Sequence, residues 1–263
     1  MAGMAEIRFS DGASYDHMMG PWSRSVGELF LDWLDPAPGL DWIDVGCGSG
    51  AFTSLVVERC QPSTILGIDP SQPQLDFALR RGLPRFARFE VADATSLPAS
   101  DRSIDVAVAA LVVHFMPDPL AGVREMARVT RPGGLVAAYA WDLLNGGFPY
   151  NDLYSQMTSI GFPPPLPPSP AAGGMQHLLK TWAAAGLTDI KMQAFTVTRQ
   201  FADFDGYWRT AAASPRIAAA LQRVPSGPLA QLREQVRASV PYGEQGTVVP
   251  KATANAIVAR ASS

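Results

Sequence analysis

Asp44-Val45-Gly46-Cys47-Gly48-Ser49-Gly50 is the stretch whose reading decides the fold. Trp42 to Val45 is a short strand, the glycines follow at once, and Ala51 to Arg59 has helical character. A strand that breaks into glycines and resumes as a helix turns sharply, lets a ligand approach the main chain, and presents the helix's free N–H groups to it. Gly46, Gly48 and Ala51 also satisfy the dinucleotide fingerprint G-x-G-x-x-G/A, so the turn alone leaves a nicotinamide nucleotide open. Asp44, two residues ahead of the first glycine, is awkward beside a pyrophosphate and suits a cationic ligand.

Downstream, the strand-turn-helix unit repeats. Thr64 to Ile68 is a second strand ending at Asp69, followed by a helix from Pro73 to Arg80. Phe86 to Val91 alternates like a third strand and stops before Asp93. Ile104 to Ala110 is apolar except for Asp105, as expected where both sheet faces are buried. A helix through Leu120, Val123, Met126, Ala127 and Val129 then leads, by Arg131-Pro132-Gly133-Gly134, into a fifth strand from Leu135 to Ala140. The alternation predicts an α/β fold, a doubly wound and mostly parallel sheet. Asp69 stands where an acid accepts ribose hydroxyls, and Asp93 is placed to accept from an adenine amino group. With Asp44 these acids end successive strands and line one crevice.

On the N-terminal side, Ser25 and Glu28 read as a capping box that opens a helix through Val26, Leu29, Phe30, Trp33 and Leu34. Past Asp142 the alternation stops. The Pro-rich stretch 161–174 reads as a stiff loop, Met175 to Ala185 as a helix and Ile190 to Phe201 as a strand. Tyr207 to Arg223 and Leu229 to Val240 read as inserted helices before a last strand near Asn255 to Arg260. The expected organisation is an N-terminal cap segment (1–40), a ligand-binding core (41–141), an inserted lid (142–188 and 202–245), and final strands (189–201 and 246–263) that complete the sheet.

Composition narrows the function. The 263 residues are 47% hydrophobic and 17% charged, enough apolar content for a sizeable core. The net charge of −3, with no basic block, argues against a nucleic-acid surface and for a small-molecule substrate. Cys47 and Cys60 are too few for a disulfide framework or a structural zinc site, so no metal and a reduced, cytoplasmic setting are expected. Val106 to Val113, the longest apolar run, is far short of the roughly 20 residues that span a bilayer, so no membrane association is expected. Glu6, Asp11 and Asp16 precede any apolar stretch, unlike a signal peptide. Oligomeric state is not encoded in any of this.

Asp44-Val-Gly-Cys-Gly-Ser-Gly50, Gly67-Ile-Asp69-Pro-Ser, Asp93-Ala94-Thr-Ser-Leu-Pro98, Ser103-Ile-Asp105-Val and Arg128-Val-Thr-Arg-Pro-Gly-Gly134, in this order, resemble the class I S-adenosylmethionine (SAM)-dependent methyltransferases. The resemblance covers roughly residues 15–141 and is nearest to the small-molecule branch that includes the ubiquinone and menaquinone biosynthesis enzymes. It implies a seven-stranded sheet with an antiparallel last strand and SAM as cofactor. Gly46, Cys47 and Gly48 would border its methionyl part, with Asp44 near the ammonium and the Ala110 backbone accepting from it. Asp69, followed by Pro70, would hold the ribose, and Asp93 with the Ala94 backbone the adenine. Tyr15 and Arg24 would close over the cofactor, Arg24 pairing with its carboxylate.

His114, just past the fourth strand, is the candidate catalytic base, with His17 a lesser one. Cys47 reads as a small packed residue rather than a nucleophile. Trp22, Tyr139, Trp141, Tyr207 and Trp208 are candidate walls of an acceptor pocket. Ala109-Ala110-Leu111-Val112 offers no acidic pair for a magnesium-dependent catechol site, and no Asn/Asp-Pro-Pro-Tyr motif of DNA amine methylation follows that strand. The expected reaction is methyl transfer to an oxygen, nitrogen or carbon of a small molecule. The rivals are a SAM-binding protein without that activity and an NAD-dependent oxidoreductase.

Overall fold

The structure, a computed structural model, describes the backbone of residues 12–262 and the side chains of 18–262. In chain order the helices and strands are α1 (Gly12–Leu34), β1 (Asp41–Val45), α2 (Ala51–Cys60), β2 (Thr64–Asp69), α3 (Gln72–Leu79), β3 (Ala87–Val91), β4 (Ile104–Ala110), α4 (Pro119–Val129) and β5 (Thr130–Trp141). There follow α5 (Asn151–Ser159), α6 (Met175–Ala184), β6 (Thr188–Thr198), α7 (Phe204–Ala212), α8 (Pro215–Leu221), α9 (Ser226–Ser239) and β7 (Lys251–Arg260). One seven-stranded sheet runs β3-β2-β1-β4-β5-β7-β6. β7 is antiparallel to both β5 and β6, and the other pairings are parallel. The expected doubly wound α/β fold is the one observed.

Two apolar layers cover the sheet. Helices α1 and α2, with the helices α5 and α7 to α9, share one core around Trp42, Val106 and Tyr139. Helices α4 and α6 form the other, around Ile43, Val136 and Trp182. Asp105, the polar residue of β4, meets Arg131 at 2.5 Å and accepts from the Asp41 amide at 2.9 Å. That pairing aligns the starts of β1 and β4 at the end of the sheet away from the glycine turn.

Several expectations are corrected. Ser25 does not cap a helix start, because α1 begins at Gly12 and runs through Pro21. Met18, Trp22, Val26 and Phe30, all buried, continue the apolar stripe at four-residue spacing, and that burial overrides the proline. The Ser25 hydroxyl donates back to the Pro21 carbonyl instead, at 3.0 Å. The helix read over Tyr207 to Arg223 is two helices, since Pro215 opens α8. The last strand starts at Lys251 because its pairing with β6 extends to Thr198.

Within the segment expected as lid, α6 lies on the sheet. Trp182 is 1% exposed and its Nε1 donates to the Val136 carbonyl at 3.0 Å. No helix among the described residues is long and apolar enough to cross a membrane. If α6 is core rather than cover, Trp182→Ala should cost about 3–5 kcal/mol of unfolding free energy in a urea titration. A loss under about 1 kcal/mol would return α6 to the lid.

Candidate functional site

The Gly46 and Cys47 amides both donate to the Ile68 carbonyl, at 2.8 and 2.9 Å, tying the end of β1 to the end of β2. Gly46 has φ +74°, and a Cβ there would stand 2.3 Å from Val112 Cγ2, so the position excludes any side chain twice over. Gly48 has φ +52°, and a Cβ there would meet nothing within 4 Å. Its backbone faces open space, as a main chain that receives a ligand must.

The three acids play different parts. Asp69 is half-buried; one carboxylate oxygen accepts from the Gly48 amide at 3.0 Å and the other from Ser71 at 2.9 Å. Each oxygen keeps a lone pair for a further donor. Burial raises its pKa, against those two amide bonds. Asp93 is exposed and closes a turn through the Thr95 amide and hydroxyl, at 2.8 and 2.6 Å. Asp44 is fully buried, accepts from Thr53 Oγ1 at 2.6 Å, and has no hydrogen-bond partner for Oδ1 among the described residues. Burial first, then repulsion from Asp69, pushes its pKa from 3.8 up to about 7.

A cleft of about 1370 Å³ opens at the carboxyl ends of β1, β2 and β4. Of the expected cofactor residues, Gly46, Cys47, Gly48, Asp69, Pro70, Asp93, Ala94 and Ala110 line it together. Asp44 is not in the wall but lies buried on β1, beside the turn. Cys47 is buried and its thiol is held protonated, its pKa raised by burial and by Asp44 and Asp69, so it is no nucleophile. Arg24 reaches the cleft, with its guanidinium bound to Glu58 at 3.0 Å and Glu28 at 2.9 Å. The side chains of Tyr15 and His17 lie outside the described residues.

Sequence reasoning missed Val112 and Arg81 in the same wall, and read the run Pro165 to Pro168, also in it, only as part of a stiff loop within the lid. Arg81 comes from the loop after α3, and no local pattern marks it. Of the candidate aromatic walls, Tyr139 lines the cleft and Trp141 a neighbouring cavity, whereas Trp22 and Tyr207 are buried core. Trp208 packs on that core from α7.

His114 does not line the cleft. It lines a separate cavity of about 90 Å³, and Leu111, Phe115, Leu166 and Pro167 wall both spaces. The imidazole is 3% exposed, packs against Phe115 with ring centroids 4.4 Å apart and planes tilted by 48°, and has no partner for Nδ1 among the described residues. Burial, with Arg216 adding to it, pushes its pKa down to about 3. Among the described residues no group of His, Cys, Asp and Glu could hold a metal ion.

Comparison with known proteins places this geometry in context. Residues 43–138 match the family model described as a methyltransferase domain. The malonyl-[acyl-carrier protein] O-methyltransferase of Serratia marcescens is 33% identical over 128 residues, 49% of this chain and 49% of that protein. Nocamycin O-methyltransferase of Saccharothrix syringae is 34% identical over 127 residues, 46% of this chain and 45% of that protein. The chain thus spans about half the length of these curated relatives. In fold it is similar to the YcgJ protein of Bacillus subtilis, with a TM-score of 0.58 at 16% identity over 94% of this chain and 99% of that one. The [4+2]-cyclase SpnF has a TM-score of 0.56 at 22% identity, covering 91% of this chain and 81% of that chain.

Asp44 generates a stability prediction. Its folded pKa is raised, so the contribution of its proton is full below pH 3.8 and is lost as pH rises through about 7. Asp44→Asn keeps an acceptor for Thr53 and removes the buried charge. In scanning calorimetry without ligand it should raise Tm at pH 8, by roughly 2–4 °C for each kcal/mol recovered, and lose that advantage at pH 4. A lower Tm at pH 8 would mean the ionised carboxylate is stabilised in the fold.

Proposed function

We propose that this chain, whose residues 43–138 match a methyltransferase domain, transfers a methyl group from SAM to an oxygen, nitrogen or carbon nucleophile of a small molecule. The observation that carries the reading is the Gly48 main chain, open to the cleft and bonded through its amide to Asp69. The cofactor would supply a methyl group on a cationic sulfur, activated for in-line displacement. Asp69 would accept from the ribose hydroxyls and Asp93 with Ala94 would border the adenine. The glycine turn and Ala110 would border the methionyl part, and the buried Asp44 beside them would favour a cation in that position. An NAD pyrophosphate would instead bring negative charge toward two acids whose pKa values are already raised.

The chain's own contribution to rate would be orientation and exclusion of water, which supply about 7–11 kcal/mol in favourable cases. The proline run Pro165 to Pro168 and the helices α5, α7, α8 and α9 would form the cover that sets specificity. His114, with a pKa near 3, is a weak proton acceptor. It would act as a neutral hydrogen-bonding group rather than as the general base. The named relatives are a malonyl-[acyl-carrier protein] O-methyltransferase and a nocamycin O-methyltransferase, and these names do not single out the quinone branch. A second reading, binding of SAM without methyl transfer, is favoured by one finding: a protein named as a [4+2]-cyclase shares the fold.

Isothermal titration should show SAM or S-adenosylhomocysteine binding in the micromolar range and NAD far more weakly; tighter NAD binding would overturn the proposal. Asp69→Ala should weaken SAM binding by about 1–3 kcal/mol, and an unchanged Kd would leave Asp69 a turn-holding residue only. Turnover of a non-ionising acceptor should show no inflection from His114 between pH 5 and 8. An inflection near pH 6.5 that vanishes in His114→Gln would restore it as the base.

A further inference from the structure

The cavity beside the cleft is lined by a polar side chain that has an atom without a partner. Its walls are apolar at Met18, Met19, Trp141, Phe148 and Ile217, and His114, which also lines it, has a buried Nδ1 with no hydrogen-bond partner among the described residues. Leaving such an atom unsatisfied costs about 1–3 kcal/mol, and a ligand that satisfies it recovers that free energy on binding. The other polar groups nearby are spoken for by the cover. Tyr154 Oη reaches the Pro164 and Pro165 carbonyls at 2.8 and 3.1 Å, and Arg216 Nη1 reaches the Pro165 carbonyl at 3.5 Å. These contacts hold the proline run over the cavity.

We propose that this cavity is the acceptor subsite, and that it takes an apolar hydroxyl compound, an alcohol or a phenol, whose hydroxyl is read by His114. The inference rests on the methyltransferase reading for the word acceptor, and on the cavity alone for the chemistry. A hydroxyl both donates and accepts, so it satisfies Nδ1 in either neutral tautomer. An ammonium group is opposed twice. No Asp or Glu lines the cavity among the described residues, and the positive charge of Arg216, which already disfavours a charged imidazole, would repel it. Asn151 and Ser214, the remaining polar walls, are neutral. The volume of about 90 Å³ accepts one small ring or branched alkyl group, and the wall shared through Leu111 and Phe115 directs the rest of the molecule into the cleft. His114 is therefore a specificity-determining residue.

The test uses near-isosteric probes on the full chain: benzyl alcohol, ethylbenzene, benzylammonium and benzoate, with Kd measured by ligand-observed NMR at pH 7.5, with and without S-adenosylhomocysteine. Benzyl alcohol should bind at least about 5-fold tighter than each of the others, the ratio expected of one buried hydrogen bond. His114→Phe should bring benzyl alcohol and ethylbenzene within about 2-fold of each other, and His114→Gln should keep the preference. Each variant's S-adenosylhomocysteine affinity should stay within about 2-fold of the parent. Benzylammonium or benzoate binding as tightly as the alcohol overturns the inference on the parent protein alone, whether or not a variant folds. So does an alcohol preference that survives in folded His114→Phe. Failure of S-adenosylhomocysteine to bind at all would sink the methyltransferase reading instead, while the ranking of the probes still decides the chemistry of the cavity.

Discussion

Between β1 and α2 the main chain passes through left-handed conformations at Gly46 and Gly48, and the amides it turns inward are taken up by β2 and its Asp69. Val112, in the turn after β4, fills the space where a Cβ on Gly46 would be. One turn therefore fixes the ends of three strands against each other. The strands can close to this spacing only while no side chain stands at Gly46, and the space beside the Gly48 main chain stays open because none stands there. The acids follow from the same geometry. Asp69 is held by the turn it helps to hold, and Asp44 is buried because the helix after the turn covers it with Thr53.

The fold was legible because both of its signals are local. Glycines between an apolar strand and a helix mark a βα turn wherever they occur, and the repeat of that unit through Ala140 leaves little topological choice. What was not legible depended on contacts distant in sequence. Pro21 and Ser25 look like the approach to a helix start until Met18 and Trp22 are seen to be buried. Trp182 looks like any aromatic residue in a helix until its indole finds Val136. The site divides in the same way. The acids at strand ends, Asp69 and Asp93, are placed by counting along strands and Ala110 by the family resemblance, whereas Arg81 and the prolines of 165–168 arrive from loops whose path no pattern fixes. His114 stands out in the sequence as a lone imidazole past β4, yet the cavity around it, which bears on its chemistry, is closed by Met18, Phe148 and Ile217, brought in from separate parts of the chain.

The two spaces differ in electrostatic character as well as in origin. The cleft is lined by the half-buried Asp69 and has the buried Asp44 behind its wall, both with raised pKa values, an environment that rewards positive charge. The cavity beside it has an arginine and a neutral imidazole, and penalises positive charge. A molecule seated across both meets a change of polarity at Leu111 and Phe115, over the thickness of one wall.

Nearly all of the turn and its acids fall within residues 43–138, the matched segment, while most of the cavity's lining lies outside it, at 18–19, 141–154, 166–167 and 214–217. Similarity between chains of this kind is thus carried by the end that holds what they have in common. The walls that distinguish one from another contribute little to any alignment. A chain could exchange every cavity residue beyond that segment, and so its choice of partner molecule, with its kinship on record hardly altered. Relatedness measured across the glycine turn reports ancestry, and on the proposed acceptor subsite the dozen or so scattered positions around His114 would hold the vocation.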